Sequence, residues 1–386
     1  MRFVKLINWG LITVPFLSIY GQDIRELKLY VALGFCLALG LLAHNKGYFG
    51  KFTNKYALWY IAFIWVSSAI APTSGLVAVG VDLKHFWIWK PLCYTLIMFS
   101  AIAATAGYRF TAEQIRSVIK TIYRCGLAMA ILVAIQAWNI DQFFISNGQF
   151  HEQWNLGGTL GHPTFVSAFI AMTIPFAFFS KRRLLGVFMM VAVIATESQV
   201  AIGAMILSLA FYYGTFGKKQ IALAIATVMI LASLVVGFYL TSPVAHKYIT
   251  TSGRAHEWKR IIKDINSPIR EDRPDKYTIT GRGLGSFKYT YRVKYVGCKL
   301  REAHNEYLEI AYNLGLAGCI LFLLAIFTMI RDGWKPKNRY RMTLLSSFVC
   351  VAICAGGTFI WQLGAAIFYT VIVVGLLHNK YKVIGE

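Results

Sequence analysis

Apolar residues occur in long uninterrupted blocks along this chain, with polar residues collected between the blocks. Runs of roughly 15 to 20 apolar residues, such as "LYVALGFCLALGLLA" at 29–43, recur along nearly the whole sequence. A helix needs about 20 residues to cross a hydrocarbon core about 30 Å thick, so these blocks approach the length of membrane spans. A transmembrane barrel would require polar and apolar residues to alternate in strands of about ten residues, which the blocks do not do. The pattern predicts an all-α, polytopic membrane protein.

We interpret twelve blocks as spans. They cover residues 6–20, 29–43, 56–71, 88–106, 121–140, 164–180, 184–197, 200–216, 220–241, 307–330, 343–359 and 362–378. The block at 6–20 follows "MRFVK" and has no small-residue cleavage site before Gly21, so we interpret it as a span and not as a signal peptide. The predicted organisation is one integrated membrane domain with nine helices within 1–241, a large outer loop at 242–306 and three helices within 307–386.

Composition and charge agree with this class of protein. Of the 386 residues, 57% are hydrophobic and only 15% are charged, which is far from the balance of a soluble domain. The formal net charge of +22 would suggest a nucleic-acid partner for a soluble protein, but most basic residues flank the spans, where they act as an orientation signal. Seven scattered cysteines show neither a disulfide framework nor zinc-ligand spacing, and we predict no metal and no nucleic-acid partner.

The basic residues between spans predict the orientation of the chain. If the N-terminus is cytoplasmic, the inner loops carry most of the Lys and Arg, whereas the short outer loops carry few and residues 141–163 contain none. The inner-loop residues are Lys46, Lys51, Lys55, Arg109, Arg116, Lys120, Lys181, Arg182, Arg183, Lys218, Lys219 and the basic residues of "RDGWKPKNRYR" at 331–341. Because cytoplasmic loops are enriched in Lys and Arg, we predict an even number of spans and two cytoplasmic termini.

The large outer loop departs from this charge rule. Residues 242–303 contain fourteen Lys and Arg against six Asp and Glu, a net charge of +8. A long loop is exported regardless of its charge, so this excess requires another explanation. A phosphate or diphosphate of a lipid-linked molecule is the expected partner, and contact with ordinary anionic headgroups is the alternative.

Within this loop, "SGRAHEWKRIIKDI" at 252–265 predicts an amphipathic helix along the membrane interface. Trp258, Ile261, Ile262 and Ile265 have the spacing of one apolar helix face, and Asp264 and the cations are expected elsewhere. With Ser252 as the N-cap, Arg254 lies in the first turn, where free backbone N–H groups also favour an anion. We therefore consider Arg254 a diphosphate-binding residue, with a solvated loop charge as the alternative.

A glycine-rich turn, "GRGLGSF" at 281–287, follows that helix and carries Arg282. Its spacing is G-x-G-x-G and not the G-x-G-x-x-G of a dinucleotide-binding loop, and no strand–helix unit surrounds it. A tight turn that approaches a phosphate or positions the loop is the expected use.

Two further polar residues stand at predicted membrane boundaries. His304 lies where the outer loop meets the next apolar block, and its imidazole suits proton transfer near neutral pH, although a histidine that caps the helix is the alternative. Glu197, in the "ESQ" turn, is either a functional intramembrane carboxylate or a solvated one. The motif H-E-x-x-H is absent, so neither histidine-containing stretch of the outer loop predicts a zinc site.

Several of these stretches resemble the O-antigen ligase and O-antigen polymerase superfamily. In the outer loop they are "SGR" at 252–254 with Trp258 four residues beyond the arginine, the "GRGLGSF" turn, and "HNEYLEIAYNLGLAG" at 304–318, which is the most specific.

Two upstream stretches agree with this resemblance. "GTLGHPTFVSAFIAMTIPF" at 158–176 is similar to the family's Gly/Asn-Pro element, and "TESQVAIGA" at 196–204 looks like its T-x-S-R-x-A element, with Gln199 in place of the arginine. The matched stretches cover most of residues 157–318, whereas the first 150 residues match only as a series of spans.

The resemblance implies a C-type glycosyltransferase-like architecture and a metal-independent glycosyl transfer without a cofactor. The implied donor is an undecaprenyl-diphosphate-linked glycan at the periplasmic face of the bacterial inner membrane. In this comparison His304 matches the catalytic histidine and Arg254 the loop arginine. The residues that we expect to bind substrate belong to the same stretches: Arg282, Gln199, Trp258, Asn305, Glu306 and Tyr307.

The resemblance leaves the acceptor open. A ligase transfers the glycan to a lipid A core, a polymerase transfers it to a second lipid-linked glycan, and a protein O-oligosaccharyltransferase is a third possibility in the same superfamily. We favour the ligase. A lipid-linked glycan transporter is the alternative from another class, but transporters are typically built from repeats with paired interrupted helices, and no matching halves are visible.

Overall fold

The computed structural model describes residues 2–16, 24–47, 55–70, 86–137, 160, 162–214, 254–265, 279, 281, 286–287, 303–334, 339–357 and 364–379. Every regular element in these ranges is helical, which confirms the predicted all-α class. The helices are α1 (Arg2–Phe16), α2 (Ile24–Lys46), α3 (Lys55–Ile70), α4 (Phe86–Gly107), α5 (Ala112–Ala137), α6 (Pro163–Phe179), α7 (Arg183–Ala195), α8 (Gln199–Gly214), α9 (Arg254–Ile265), α10 (Glu306–Trp334), α11 (Arg339–Ala355) and α12 (Gly364–Leu377).

Eleven of the twelve predicted spans coincide with a described helix. The remaining one, 220–241, lies outside the described residues. By length and composition alone, three helical segments could cross a membrane: Lys28–Lys46, Ala112–Ala137 and Glu306–Asp332, the last of which is interrupted at Gly315. Five shorter apolar helical segments accompany them: Thr95–Gly107, Pro163–Phe179, Arg183–Ala195, Gln199–Tyr213 and Ala365–Leu377. The count of twelve crossings stays a prediction.

Helix α6 lies at the centre of the helical bundle. Nearly all of its residues are apolar, and every residue from Phe165 to Phe178 is buried. A helix that is apolar on all sides is stable only where neighbours surround it, and α6 packs against α5, α7, α8 and α11. Polar groups are satisfied within the bundle: the hydroxyl of Thr173 donates to the carbonyl of Ile170, and the hydroxyl of Ser347 on α11 donates to the carbonyl of Met172.

The outer surface of the bundle is apolar as well. Several large apolar side chains are exposed on different helices: Trp9, Leu37, Leu41, Trp59, Val191, Leu207 and Phe327. Water would make such a surface unfavourable, whereas lipid acyl chains solvate it. The structure therefore has the surface of an integral membrane protein.

Arginine and tyrosine side chains connect several helix ends at one end of the bundle. Arg339, at the start of α11, donates from Nε to the hydroxyl of Tyr212 (3.2 Å) and from Nη2 to the carbonyl of Phe178 (3.3 Å). These contacts place the start of α11 beside the ends of α6 and α8. Guanidinium groups near helix C-termini satisfy exposed carbonyls and interact favourably with the helix dipole.

The two ends of the described chain meet at this same end of the bundle. Asn379, just after α12, donates its side-chain amide to the carbonyl of Tyr108 (2.7 Å). The ring of Tyr108 stacks on Phe3 of α1 with centroids 4.3 Å apart. The start of α1, the end of α4 and the end of α12 are therefore neighbours, which is the arrangement that an even number of crossings requires.

At the opposite end, the structure brings two of the sequence motifs together. A β-carbon added to Gly357, just after α11, would overlap the side chain of Val200, and one added to Gly356 would lie 3.7 Å from the ring of Tyr307. The Gly356–Gly357 turn thus lies between "TESQVA" at the start of α8 and "HNEYL" at the start of α10.

Helix α10 is not the single span that the sequence predicts at 307–330. Gly315 has φ 66° and ψ −174°, which interrupts the helix and divides it into a short segment, 306–314, and a long one, 316–334. Fifteen residues of straight helix would separate Tyr307 from Phe322 by about 22 Å, yet their ring centroids are 6.0 Å apart. The short segment therefore folds back against the long one. His304 precedes the short segment and does not lie at the start of the long helix.

Candidate active site

His304 occupies an unusual backbone conformation at the start of the short segment of α10. Its φ angle is 51°, in the left-handed region that non-glycine residues rarely adopt. The next residue, Asn305, caps the helix: its Oδ1 accepts from the N–H of Leu308 (3.1 Å) and its carbonyl accepts from the N–H of Glu309 (3.0 Å). Asn305 thus supplies the described N-cap of this segment.

The residue before His304 is held by two hydrogen bonds from different elements. The N–H of Ala303 donates to Oε2 of Glu309 (3.3 Å), and its carbonyl accepts from the indole N–H of Trp258 on α9 (3.0 Å). Ala303 itself is only 3% exposed. Together with the Asn305 cap, these bonds fix the backbone on both sides of His304.

A small apolar core joins α9 to the start of α10. Its fully buried members are Ile261, Phe287, Ala303 and Tyr312, with Trp258, Ile265 and Leu308 packed around them. The face of α9 toward this core differs from the predicted apolar face in two positions. Ile262 is 47% exposed, whereas Asp264 is 2% exposed. The buried face of α9 therefore includes Asp264 and leaves out Ile262, because the helix packs onto protein.

The glycine-rich turn docks onto the break in α10. The backbones of Gly281 (φ 75°) and Gly315 approach so closely that a β-carbon on either glycine would overlap the backbone of the other segment. Nearby, Oδ1 of Asn313 accepts from the hydroxyl of Ser286 (2.9 Å) and from the N–H of Phe287 (2.8 Å). The turn was expected either to approach a phosphate or to position the loop. Gly281 has the second of these uses, because it contacts the backbone around Gly315.

Glu306 and Tyr307, which follow His304 in the chain, connect the site to the membrane helices. Glu306 is buried, and its carboxylate is within electrostatic range of the hydroxyls of Tyr60 on α3 and of Tyr307. The hydroxyl of Tyr307 donates a hydrogen bond to the carbonyl of Ala352 on α11. The rings of Tyr60 and Tyr307 both contact Phe322, so α3 borders the site although its sequence carries no family motif.

The remaining predicted residues occupy the ends of helices. Gln199 is the first residue of α8 and is exposed, at the end of the bundle where Tyr307 lies. Glu197 is also exposed, in a turn with φ 57°. Arg254 begins α9, but its side chain lies outside the described part of the structure, and so does the whole of Arg282.

In the described ranges, no group of three or more His, Cys, Asp and Glu side chains has the arrangement of a metal site. The six cysteines among the described residues are free thiols: Cys36, Cys93, Cys125, Cys319, Cys350 and Cys354.

Sequence reasoning assigned no role to several residues that build this site. Glu309 and Asn313 lie inside the quoted motif, but their partners, Ala303 and the Ser286–Phe287 turn, become neighbours only in the folded chain. A polar Asn313 within an apolar stretch was an available signal, since a buried amide requires hydrogen-bond partners.

The fold and the site define an integral membrane protein in which α9 and the start of α10 pack together and fix a histidine at one end of a helical bundle. Residues 184–323 match the family model described as O-antigen ligase. This match confirms the resemblance to the O-antigen ligase and polymerase superfamily over that part of the chain. Together with the apolar helices, the match supports an integral inner-membrane protein of the O-antigen ligase or polymerase type. A comparison with curated proteins gives no match.

Proposed function

We propose that this protein is an O-antigen ligase-type glycosyltransferase that moves a glycan from undecaprenyl diphosphate to an acceptor hydroxyl at the periplasmic face. The observation that carries the proposal is the fixed, left-handed backbone of His304 beside the amphipathic helix α9. Strained backbone conformations of this kind persist where the surroundings over-determine them, and they concentrate at functional sites.

His304 is proposed to act as the general base. It accepts the proton of the acceptor hydroxyl while the acceptor oxygen forms a bond to the anomeric carbon. The bond between that carbon and the diphosphate oxygen breaks, and undecaprenyl diphosphate leaves with the bonding electrons. A positioned base of this type contributes about 10²- to 10⁴-fold to a reaction rate.

Arg254 is proposed to stabilise the leaving diphosphate. It begins α9, four residues before Trp258, which corresponds to about 6 Å along the helix axis. Trp258 in turn is bonded to the residue before His304. The backbone N–H groups at the start of α9 add to the positive potential that a diphosphate requires. Arg282 and Gln199 are proposed to complete the anion site from the glycine-rich turn and from the start of α8.

The proposed periplasmic position of the site is supported by the arrangement of helix ends. Tyr212 and Arg339, which flank two of the basic inner segments, lie at one end of the bundle, and the start of α10 lies at the other. The positive-inside rule assigns the first end to the cytoplasm. The site then faces the periplasm, where lipid-linked glycans and their acceptors meet.

The first experiment tests the general-base role of His304. Purified protein in nanodiscs is incubated with an undecaprenyl-diphosphate glycan and an acceptor, and the glycosylated product is measured. We expect His304→Ala to lose at least about 100-fold in turnover, with unchanged insertion and thermal stability. Full activity of a folded His304→Ala protein would refute the proposal.

The same assay decides between ligase and polymerase. Lipid A core, a second lipid-linked glycan and a hydroxyl-bearing peptide are offered separately. Product formation with the lipid A core alone is the expected result. Elongated lipid-linked glycan as the sole product would assign a polymerase, and a glycosylated peptide would assign a protein O-oligosaccharyltransferase. A transporter would move the glycan across the bilayer without forming any of the three products.

A further inference from the structure

We propose that Glu309 is a positioning residue that holds the backbone before His304 and thereby orients the imidazole. This inference rests on the proposed function, since it concerns the same histidine. Glu309 is five residues beyond His304 and, unlike His304, has no expected contact with substrate. Its carboxylate acts through the N–H of Ala303, which donates to Oε2 at 3.3 Å.

The argument begins with the conformation of His304. A left-handed backbone is unfavourable for an L-residue, so a flexible segment would relax away from the observed φ of 51°. Rotation about the backbone of Ala303 or His304 would carry the imidazole with it. Restraints on the flanking peptide groups therefore set the direction of the imidazole.

Three described hydrogen-bonding groups supply those restraints. Trp258 fixes the carbonyl of Ala303 from the side of α9, and Asn305 fixes the peptide after His304 by capping α10. Glu309 fixes the N–H of Ala303 from within α10. Glu309 belongs to the helical segment that Asn305 caps. Its bond to Ala303 therefore ties the residue before His304 to the helix that follows His304.

The bond requires an acceptor oxygen and not a negative charge. A glutamine at this position keeps a carbonyl oxygen at the end of a side chain of the same length, so Glu309→Gln can retain the bond to Ala303. Alanine removes the acceptor and leaves the buried N–H of Ala303 without this partner. The pair of substitutions therefore separates a positioning hydrogen bond from a contribution of charge.

The test measures initial rates of glycan transfer for Glu309→Ala and Glu309→Gln in nanodiscs, over a range of donor concentrations. We expect Glu309→Ala to lower kcat about tenfold with little change in the KM for the donor, because a misdirected base slows the chemical step while the anion site is intact. Glu309→Gln is expected to recover most of the lost turnover. Glu113→Ala, at an exposed first-turn position of α5, is the matched control and should retain normal turnover.

Three outcomes would overturn the inference. They are normal turnover in Glu309→Ala, equal losses in the alanine and glutamine variants, and a change confined to the KM for the donor. Thermal unfolding of each variant shows whether the fold as a whole is lost. If Glu309 had only a structural role, turnover would not be recovered in Glu309→Gln when variants are compared at the same folded fraction. His304→Ala is included in the same series. If it stays active, the proposed function has failed, whereas an inactive His304→Ala with a normal Glu309→Ala refutes only the positioning role.

Discussion

The backbones of Gly281 and Gly315 lie against each other, and neither position has room for a β-carbon. One glycine belongs to the outer loop and the other to the break in α10. Both have positive φ angles, and Gly315 combines φ 66° with ψ −174°, a region that only glycine occupies readily. This contact fixes the loop to the point where α10 folds back, and it explains why two separate motifs each contain a glycine there.

Gly315→Ala is expected to disturb this docking and to lower both stability and glycan transfer. The backbone strain alone amounts to about 1–3 kcal/mol, and the overlap with the chain around Gly281 adds to it. Gly203→Ala in α8 is the control, because a β-carbon there meets no atom within 4 Å. Thermal unfolding in detergent and limited proteolysis measure the effect. Equal stability of the two variants would contradict the docking contact.

Tyr307→Phe is expected to lower stability by about 1 kcal/mol, because it removes the hydrogen bond to the carbonyl of Ala352. Tyr369→Phe removes a hydrogen bond from α12 to the carbonyl of Ile122 on α5, away from the site. Both variants should unfold at lower temperature, but only Tyr307→Phe should also slow transfer, since Tyr307 lies three residues beyond His304. Equal transfer rates at equal folded fraction would remove Tyr307 from the site.

Arg254→Ala is expected to weaken donor binding much more than Lys259→Ala. Arg254 is at the N-terminal end of α9, where the helix dipole also attracts an anion, whereas Lys259 is an exposed residue further along. The KM for the lipid-linked donor, measured at two salt concentrations, distinguishes the two positions. Similar KM values for the two variants would reduce α9 to a general basic surface.

The orientation of the chain is tested with reporters at both predicted faces. A reporter at the C-terminus is expected in the cytoplasm, and a tag inserted near residue 270 is expected in the periplasm. The physical reason is the enrichment of Lys and Arg in the inner segments. Protease protection in spheroplasts gives the measurement for both tags. The opposite result would place the proposed site on the wrong side of the membrane for an outer-leaflet donor.

The sequence predicted the helical class well because its main signal is local. Long apolar blocks require helices in a membrane, and eleven of the twelve predicted spans coincide with described helices. The span 307–330 was wrong in one respect, since the "NLGLAG" stretch gave no indication that Gly315 would adopt a conformation that reverses the helix. A glycine within an apolar run is compatible with a straight helix, and only the docked loop selects the break.

The predicted face of α9 shows the same limit. Periodicity placed Ile262 with the other apolar residues and Asp264 with the cations, whereas the structure exposes Ile262 and buries Asp264. The buried side of a helix is decided by the shape of its neighbours, and those neighbours come from residues 287 and 303–312. A helical wheel of the twelve residues of α9 contains no information about these neighbouring residues.

The sequence alone determined the membrane character, the basic outer loop and the family motifs, including His304, because composition and short motifs depend on residues that are adjacent in the chain. The tertiary structure decided how the histidine is held: Trp258 and Glu309 reach Ala303 from different elements, and Gly281 meets Gly315. These contacts join residues up to 45 positions apart. They form only when the loop docks onto α10, and that docking depends on shape and backbone hydrogen bonding across the fold.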